Sequence, residues 1–374
     1  MSASFPIAAF EQQHQTFAKA LQLLQDAVAE HVFPAASVAV SFEGKLVVRE
    51  ALGRFTYEGT SPAVSPESIF DLASVSKVVA TTTMAMILYQ RGLLDLEAPV
   101  AMIVPEFLEG DRQTRQAVTL RMLLAHSSGL PAHEKFYLRV KSRDELLAAA
   151  YSTPLTAEPG TRVEYSDIGF IILGVALERI ADETIDRFCQ REIFGPLGMS
   201  QTAFNPPGTW CSSIPPTADD RSFRRRIIQG EVQDENASVL GGVAGHAGLF
   251  ATASNLAVFA EALLRGKVVR SDVLSQFTRR EKTPSGTSRA LGWDTPSAPS
   301  QSGKYLSEAS FGHLGYTGTS LWIDPARQLS VTLLTNRTWP DCNNQAIKLV
   351  RPRFHDTVVE SLGAIAGWPR ENKT

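Results

Sequence analysis

Ser74 and Lys77 stand three residues apart in the segment Phe70-Asp71-Leu72-Ala73-Ser74-Val75-Ser76-Lys77, at the head of a long apolar run. Residues at i and i+3 share one face of a helix, so this hydroxyl and this ammonium can touch. The pairing suggests nucleophilic chemistry. A serine attacks a carbonyl only when its proton is taken, and burial can lower an ammonium's pKa toward neutrality, where it serves as the base. A helix start adds free N–H groups and partial positive charge, which favour the negative oxygen that develops in acyl transfer. The tetrapeptide alone is common, and the bland alternative is a helix cap followed by a surface lysine. The flank argues otherwise: Lys77 is the one charged residue between Ser74 and Gln90, and burying it without a partner would be costly.

The elements that must position this pair follow from the patterning. Phe17, Leu21, Leu24, Ala27 and Val28 recur at helical spacing, which predicts a helix from Phe17 to Val32, ahead of Pro34. Ala36 to Phe42 and Leu46 to Ala51 are β-prone runs around Glu43-Gly44-Lys45, the pattern of a hairpin. Ser74 to Gln90 reads as a buried helix stopped by Gly92. Helices over Ile168 to Ile180 and Ile185 to Phe194, with an irregular stretch from Asn205 to Arg225, fill the middle. Strands return at Gly318 to Ile323 and Leu329 to Asn336, turning at Asp324-Pro325-Ala326-Arg327, and a helix covers Ala346 to Leu362. The expected organisation is a single catalytic unit. An α/β lobe is made by 1–80 together with 255–374, a mainly helical lobe by 81–254, and a cleft runs between them. No repeat of 20–50 residues is visible, which excludes a solenoid.

Taken in order, several segments resemble a known family. The Ser-x-x-Lys with Phe70-Asp71-Leu72-Ala73 before it looks like the active-site serine motif of class C β-lactamases, penicillin-binding proteins and related esterases. Further matches are Leu123-Leu124-Ala125-His126-Ser127-Ser128-Gly129-Leu130, Glu164-Tyr165-Ser166-Asp167, the segment from Gly245 to Ser254, and the segment from Phe311 to Ser320. The resemblance implies a β-lactamase/transpeptidase-like fold, α/β plus all-α, in which an antiparallel sheet is flanked by helices beside a helical lobe. It implies a serine hydrolase that opens a small ester, lactam or amide through an acyl-enzyme on Ser74.

Roles for other residues come with the resemblance. Tyr165-Ser166-Asp167 resembles the family's Tyr-x-Asn, which sets a phenol beside the serine and lysine. Lys77 would favour the phenolate of Tyr165, making it a candidate base in acylation and a donor to the leaving group. Asp167 replaces the usual Asn; a carboxylate only accepts, so it would hold Lys77 instead of a substrate amide. His313-Leu314-Gly315 resembles the Lys-Thr-Gly element, with a strand expected from Tyr316 onward. His313 would then be a weak cation toward a substrate carboxylate, mostly neutral above pH ~6.5, and Gly315 would give a substrate backbone room. The N–H groups of Ser74 and Tyr316 would form the oxyanion hole. Whether Lys77 or Tyr165 is the acylation base stays open, as does the choice among ester, β-lactam and D-peptide. Two other readings stand beside this one: a penicillin-binding protein or D-amino-acid peptidase that acylates and turns over slowly, and a non-catalytic structural relative. The presence of both Ser74 and Lys77 counts against the last.

Composition sets further bounds. The chain has 374 residues, 44% hydrophobic and 20% charged, with a formal net charge of -3, so it offers no basic field for nucleic acid or anionic lipid. The expected partner is a small-molecule ester, lactam or peptide; the oligomeric state is not readable. The run Arg224-Arg225-Arg226 reads as a solvated loop. Cys189, Cys211 and Cys342 read as free thiols. His133-Glu134 and His355-Asp356 lack metal-ligand spacing, so neither metal nor cofactor is expected. His126 beside Ser127 and Ser128 mimics a Ser-His pair, but sequence neighbours rarely form that hydrogen bond and no Gly-x-Ser-x-Gly elbow is present. Lys282-Thr283-Pro284 mimics Lys-Thr-Gly, yet Pro denies it a strand. The opening MSASFPIAAFEQQHQ lacks the regions of an export signal, and no later stretch reaches the ~18 apolar residues of a membrane span. That predicts a cytoplasmic protein, or a periplasmic one whose leader is absent from the sequence.

Overall fold

The computed structural model describes residues 7–109 and 112–366; residues 1–6, part of the segment read for an export signal, lie outside the described residues. The frame is a six-stranded sheet of β1 (Ile7–Ala8), β2 (Ala35–Phe42), β3 (Lys45–Gly53), β4 (Phe311–Leu314), β5 (Ser320–Asp324) and β6 (Leu329–Thr335). Its spatial order is β1-β3-β2-β6-β5-β4. Every neighbouring pair is antiparallel except β1 with β3, so the sheet is mixed by that one short edge strand. Glu43 and Gly44 both take positive φ, 48° and 77°, the turn whose twist matches a two-strand hairpin.

Pairing of β2 with β6 joins the two ends of the chain. Both strands are covered on both faces, which is why Ala-Ala-Ser-Val-Ala-Val-Ser reads as continuous small and apolar residues. Ala36, Val38 and Val40 face a core shared with Leu21 and Leu24 of the helix Ala18–Ala29 and Phe354 and Val358 of the helix Ile347–Ala366. Ala35 and Ala39 face the larger core, which holds Phe259 of the helix Ala253–Leu264 and continues into the helical part of the chain.

Through that larger core runs the segment predicted as one helix from Ser74. It is helical and buried from Val75 to Leu88, and Gly92 ends it at φ 71°. Only its second half is α, however. A 3-10 turn spans Ala73–Val75, a π turn Lys77–Thr82, and the α-helix Thr83–Gln90. Thr81 and Thr83 send their hydroxyls to the carbonyls of Gly245 and Val78, drawing the backbone off α geometry, and such π turns concentrate at functional sites. The helix Asp167–Ala181 packs beside it, buried from Ile168 to Leu177.

Three other expectations change. The predicted strand from Gly318 begins at Ser320, and the strand that carries His313 is β4, ahead of the turn at 315–319. It was invisible because it is four residues long and holds Gly312, where a Cβ would overlap the Trp322 ring. The segment from Ile185 is α over Ile185–Cys189 and π over Gln190–Phe194. Arg224 is not solvated: its side chain pairs with Asp220 at 3.0 Å and donates to the carbonyls of Val232 and Gln233 at 2.6 Å each. Among the described residues no helix is long and apolar enough to cross a membrane.

Candidate active site

Ser74 stands in the 3-10 turn. Ala73, just before it, takes a left-handed φ of 46°, and Asp71 Oδ1 accepts its N–H at 2.8 Å. The turn after β4 is stitched to the same stretch of chain. Thr317 Oγ1 donates to the Asp71 carbonyl at 2.8 Å and Thr319 Oγ1 to the Leu72 carbonyl at 2.9 Å. A Cβ at Gly315 would overlap Thr319 Oγ1 and the Leu72 carbonyl. The space expected to admit a substrate backbone is therefore filled by the chain itself, and Gly315 serves the close approach of this turn to the serine. Arg337 braces the next residue, donating to the Tyr316 carbonyl at 2.7 Å with its guanidinium 4.5 Å from the Tyr316 ring. The N–H groups of Ser74 and Tyr316 donate to no turn or loop carbonyl among the described residues.

Lys77 is fully buried and its three donors are all used. They reach Ser74 Oγ at 2.9 Å, Asp167 Oδ1 at 2.7 Å and the His246 carbonyl at 3.0 Å. Burial pulls the ammonium's pKa down, but the charge of Asp167 and the neighbouring Tyr165 outweigh it and hold the pKa above its ordinary value. The neutral lysine expected from the apolar flank is thus not the resting state. Burial pushes the Asp167 carboxyl up, yet Lys77 and His133 hold it well below the usual carboxylate range; His133 Nδ1 lies 3.7 Å from Oδ2. Asp167 also opens its helix, capped by Ser166 Oγ, which accepts the Gly169 N–H at 3.0 Å. A carboxylate is favoured at that end of the helix dipole.

Tyr165 lies with its ring centroid 5.0 Å from Lys77 Nζ and its hydroxyl close enough to Lys77 and Ser74 to feel both. Burial raises its pKa and Asp167 adds to that, so despite Lys77 it rests as the phenol, not the phenolate expected. His126 does not pair with Ser127 or Ser128. Its Nδ1 accepts the Ser166 N–H at 3.0 Å and its ring lies tilted against that of Tyr165, centroids 4.5 Å apart, so it orients the Tyr-Ser-Asp segment.

His313 is buried on β4, 5.8 Å ring to ring from Tyr165. Its Nδ1 meets the Leu314 carbonyl at 2.8 Å; a carbonyl only accepts, so Nδ1 carries the hydrogen. Burial first, then Lys77 and Arg289, bring its pKa down to about 3. It is not a cation at neutral pH. Besides Lys77, a second positive charge beside Tyr165 is Arg289, 5.1 Å from that ring, with the Asp294 carboxylate 3.7 Å away and its own side chain 21% exposed. Arg289 comes from an irregular stretch without a motif, and no pattern in the sequence pointed to it. Lys282, the decoy nearby, is exposed.

The family model described as Beta-lactamase matches residues 20–351. An N-acetylmuramyl-L-alanine amidase of Bacillus subtilis (strain 168) is 32% identical over 341 residues, which cover 82% of this chain and 77% of the relative. Among solved structures, "EstCE1, a hydrolase with promiscuous acyltransferase activity" superposes with a TM-score of 0.74 at 22% identity, covering 93% of this chain and 99% of that one. The octameric penicillin-binding protein homologue from Pyrococcus abyssi gives 0.72 at 20% identity, over 95% and 78%. At these identities the two structures speak for the fold.

Proposed function

Because the chain belongs to the β-lactamase family of serine hydrolases, we propose that it hydrolyses a small amide or ester through an acyl-enzyme on Ser74. We assign the cleft between the lobe of 1–80 with 255–374 and the lobe of 81–254 as the substrate site. The observation that carries the reading is the 2.9 Å contact of Ser74 Oγ with the buried Lys77 ammonium, beside Tyr165.

Ser74 Oγ attacks the carbonyl carbon, and the N–H groups of Ser74 and Tyr316 receive the developing oxyanion. The serine proton passes to the Tyr165 oxygen while the phenol's own proton passes to the leaving nitrogen or oxygen, whose bond to carbon then breaks. A phenol that accepts and donates in one step needs no prior ionisation, in keeping with its raised pKa. Lys77 stays charged and lowers the cost of negative charge on Ser74. Water then adds to the acyl carbon and returns a proton along the same route, releasing the acid and Ser74. Of the bonds this family opens, an amide is favoured by the Bacillus subtilis relative's name, and a substrate with a carboxylate by Arg289.

A panel of p-nitrophenyl esters, N-acyl amino-acid amides, D-alanyl peptides and a chromogenic cephalosporin tests this with wild type and Ser74→Ala. Turnover of at least one class by wild type and none by the variant is expected. Equal turnover by both would remove the proposal.

A further inference from the structure

We propose that Asp71 and Asp234 are positioning residues for acylation: with His246 they close a ring of hydrogen bonds that fixes Ser74 against Lys77. The proposal rests on Ser74 being the nucleophile. The ring can be followed atom by atom. Lys77 Nζ donates to Ser74 Oγ at 2.9 Å and to the His246 carbonyl at 3.0 Å. The His246 ring meets Asp234 Oδ1 through Nε2 at 2.9 Å. Gln233, the neighbour of Asp234, donates its N–H to Asp71 Oδ2 at 2.6 Å. The other oxygen of Asp71 takes the N–H of Ala73 at 2.8 Å, which returns the ring to Ser74.

Each link has a reason to be rigid. Gly245 is pressed on the helix of Asp167, where a Cβ would overlap the Phe170 carbonyl. Thr81 Oγ1 holds the Gly245 carbonyl at 2.7 Å, and Leu249 N–H donates to Ser76 Oγ at 3.1 Å. The segment 245–249 is therefore clamped on both sides, and the His246 ring sets the angle of its carbonyl. Asp234 Oδ1 also caps the helix Glu235–Val239 through the Ala237 N–H at 2.7 Å. Arg224 grips the Val232 and Gln233 carbonyls from the other side.

Asp71 is the informative member. A carboxylate with both oxygens accepting N–H groups holds them best when ionised, and protonation places a hydrogen on one oxygen and weakens its bond to the N–H. It is buried, with Asp234 and Arg224 as the charged groups acting on it; burial pushes its pKa up to about 6. Acid should therefore slacken the left-handed turn at Ala73 and slow attack by Ser74.

The test is the pre-steady-state acylation rate of the full chain with p-nitrophenyl acetate between pH 5 and 8, with active-site titration by a fluorophosphonate. Asp234→Asn, whose amide oxygen still accepts from His246 and Ala237, should stay within about threefold of wild type, and Asp234→Ala should fall at least about tenfold in kcat with KM nearly unchanged. Asp71→Asn should be slower at pH 8 and should lack the acid limb near pH 6 that wild type shows. Asp234→Ala acylating at the wild-type rate, or Asp71→Asn keeping that limb, would overturn the proposal. If Asp234→Ala does not fold, the Asp71→Asn profile decides alone. Failure of wild type to label at Ser74 would remove the underlying nucleophile assignment; labelling with unchanged variants would remove only the positioning role.

Discussion

Lys77 and Asp167 form a buried ion pair, Nζ to Oδ1 2.7 Å, with no part of the lysine side chain exposed. The carboxylate replaces the amide that the motif usually carries, and it changes the charge state of the site. An amide would remove the largest effect that opposes burial at Lys77 and leave only Tyr165 against it; the carboxylate keeps it an ammonium that donates to Ser74 and cannot accept its proton.

Asp167→Asn should therefore reverse the direction of the Lys77 pKa. In wild type the raised Lys77 contributes stability below its unfolded pKa and loses it as pH rises past the folded value, while the depressed Asp167 contributes above its unfolded pKa and loses it in acid. The pair thus stabilises between roughly pH 4 and 10, and stability near neutrality is flat with respect to it. In the variant an uncompensated ammonium costs on the order of 3–5 kcal/mol until it sheds its proton. Urea unfolding at pH 6 and pH 9 should show the variant gaining stability with pH; a flat response would contradict the pairing.

Arg289→Gln should raise KM for carboxylate-bearing substrates about tenfold and leave a neutral ester within about twofold. Because the His313 pKa lies at about 3, the preference for acids over neutral esters should not change between pH 5.5 and 8. A preference that fades through pH 6.5 would return the charge to His313.

Gly315→Ala should destabilise the protein by about 1–3 kcal/mol and slow acylation, because the added Cβ meets the Thr319 hydroxyl and the Leu72 carbonyl next to Ser74. Thermal melting and burst kinetics measure the two effects. Full activity at wild-type stability would mean the turn has slack.

Much of this arrangement was legible in the residues, and the exceptions share a cause. The hairpin at Glu43-Gly44, the buried helix after Ser74 and the last two strands of the sheet follow from local pattern, with boundaries within a few residues. The π turn at Lys77–Thr82 was not legible, because Thr81 bonds a carbonyl 164 residues away. The charge of Lys77 depends on a carboxylate 90 residues distant, and spacing cannot weigh burial against such a partner. His126 was set aside for its sequence neighbours, whereas its bond is to Ser166. Arg289 lacked any pattern, and β4, although it carries the His313-Leu314 of a motif, is too short to show a strand's alternation.

Acid stability offers a test away from the site. His355 is buried on the last helix, and burial followed by Arg351 brings its pKa down to about 3. A histidine depressed in the fold contributes stability above its unfolded pKa, and that is lost as pH falls from about 6.5 toward 3, at up to about 1.4 kcal/mol per unit. His355→Gln should show a shallower loss of urea stability from pH 6 to 4 than wild type. An unchanged slope would mean that the imidazole is protonated in the fold.

Covalent labelling by a fluorophosphonate, followed by peptide mapping of the adduct, reads out whether Ser74 is the nucleophile. Wild type, Ser127→Ala and Ser128→Ala should each carry one label on the peptide containing Ser74, and Ser74→Ala should carry none. Labelling that survives in Ser74→Ala, or an adduct mapped to another serine, would contradict the account.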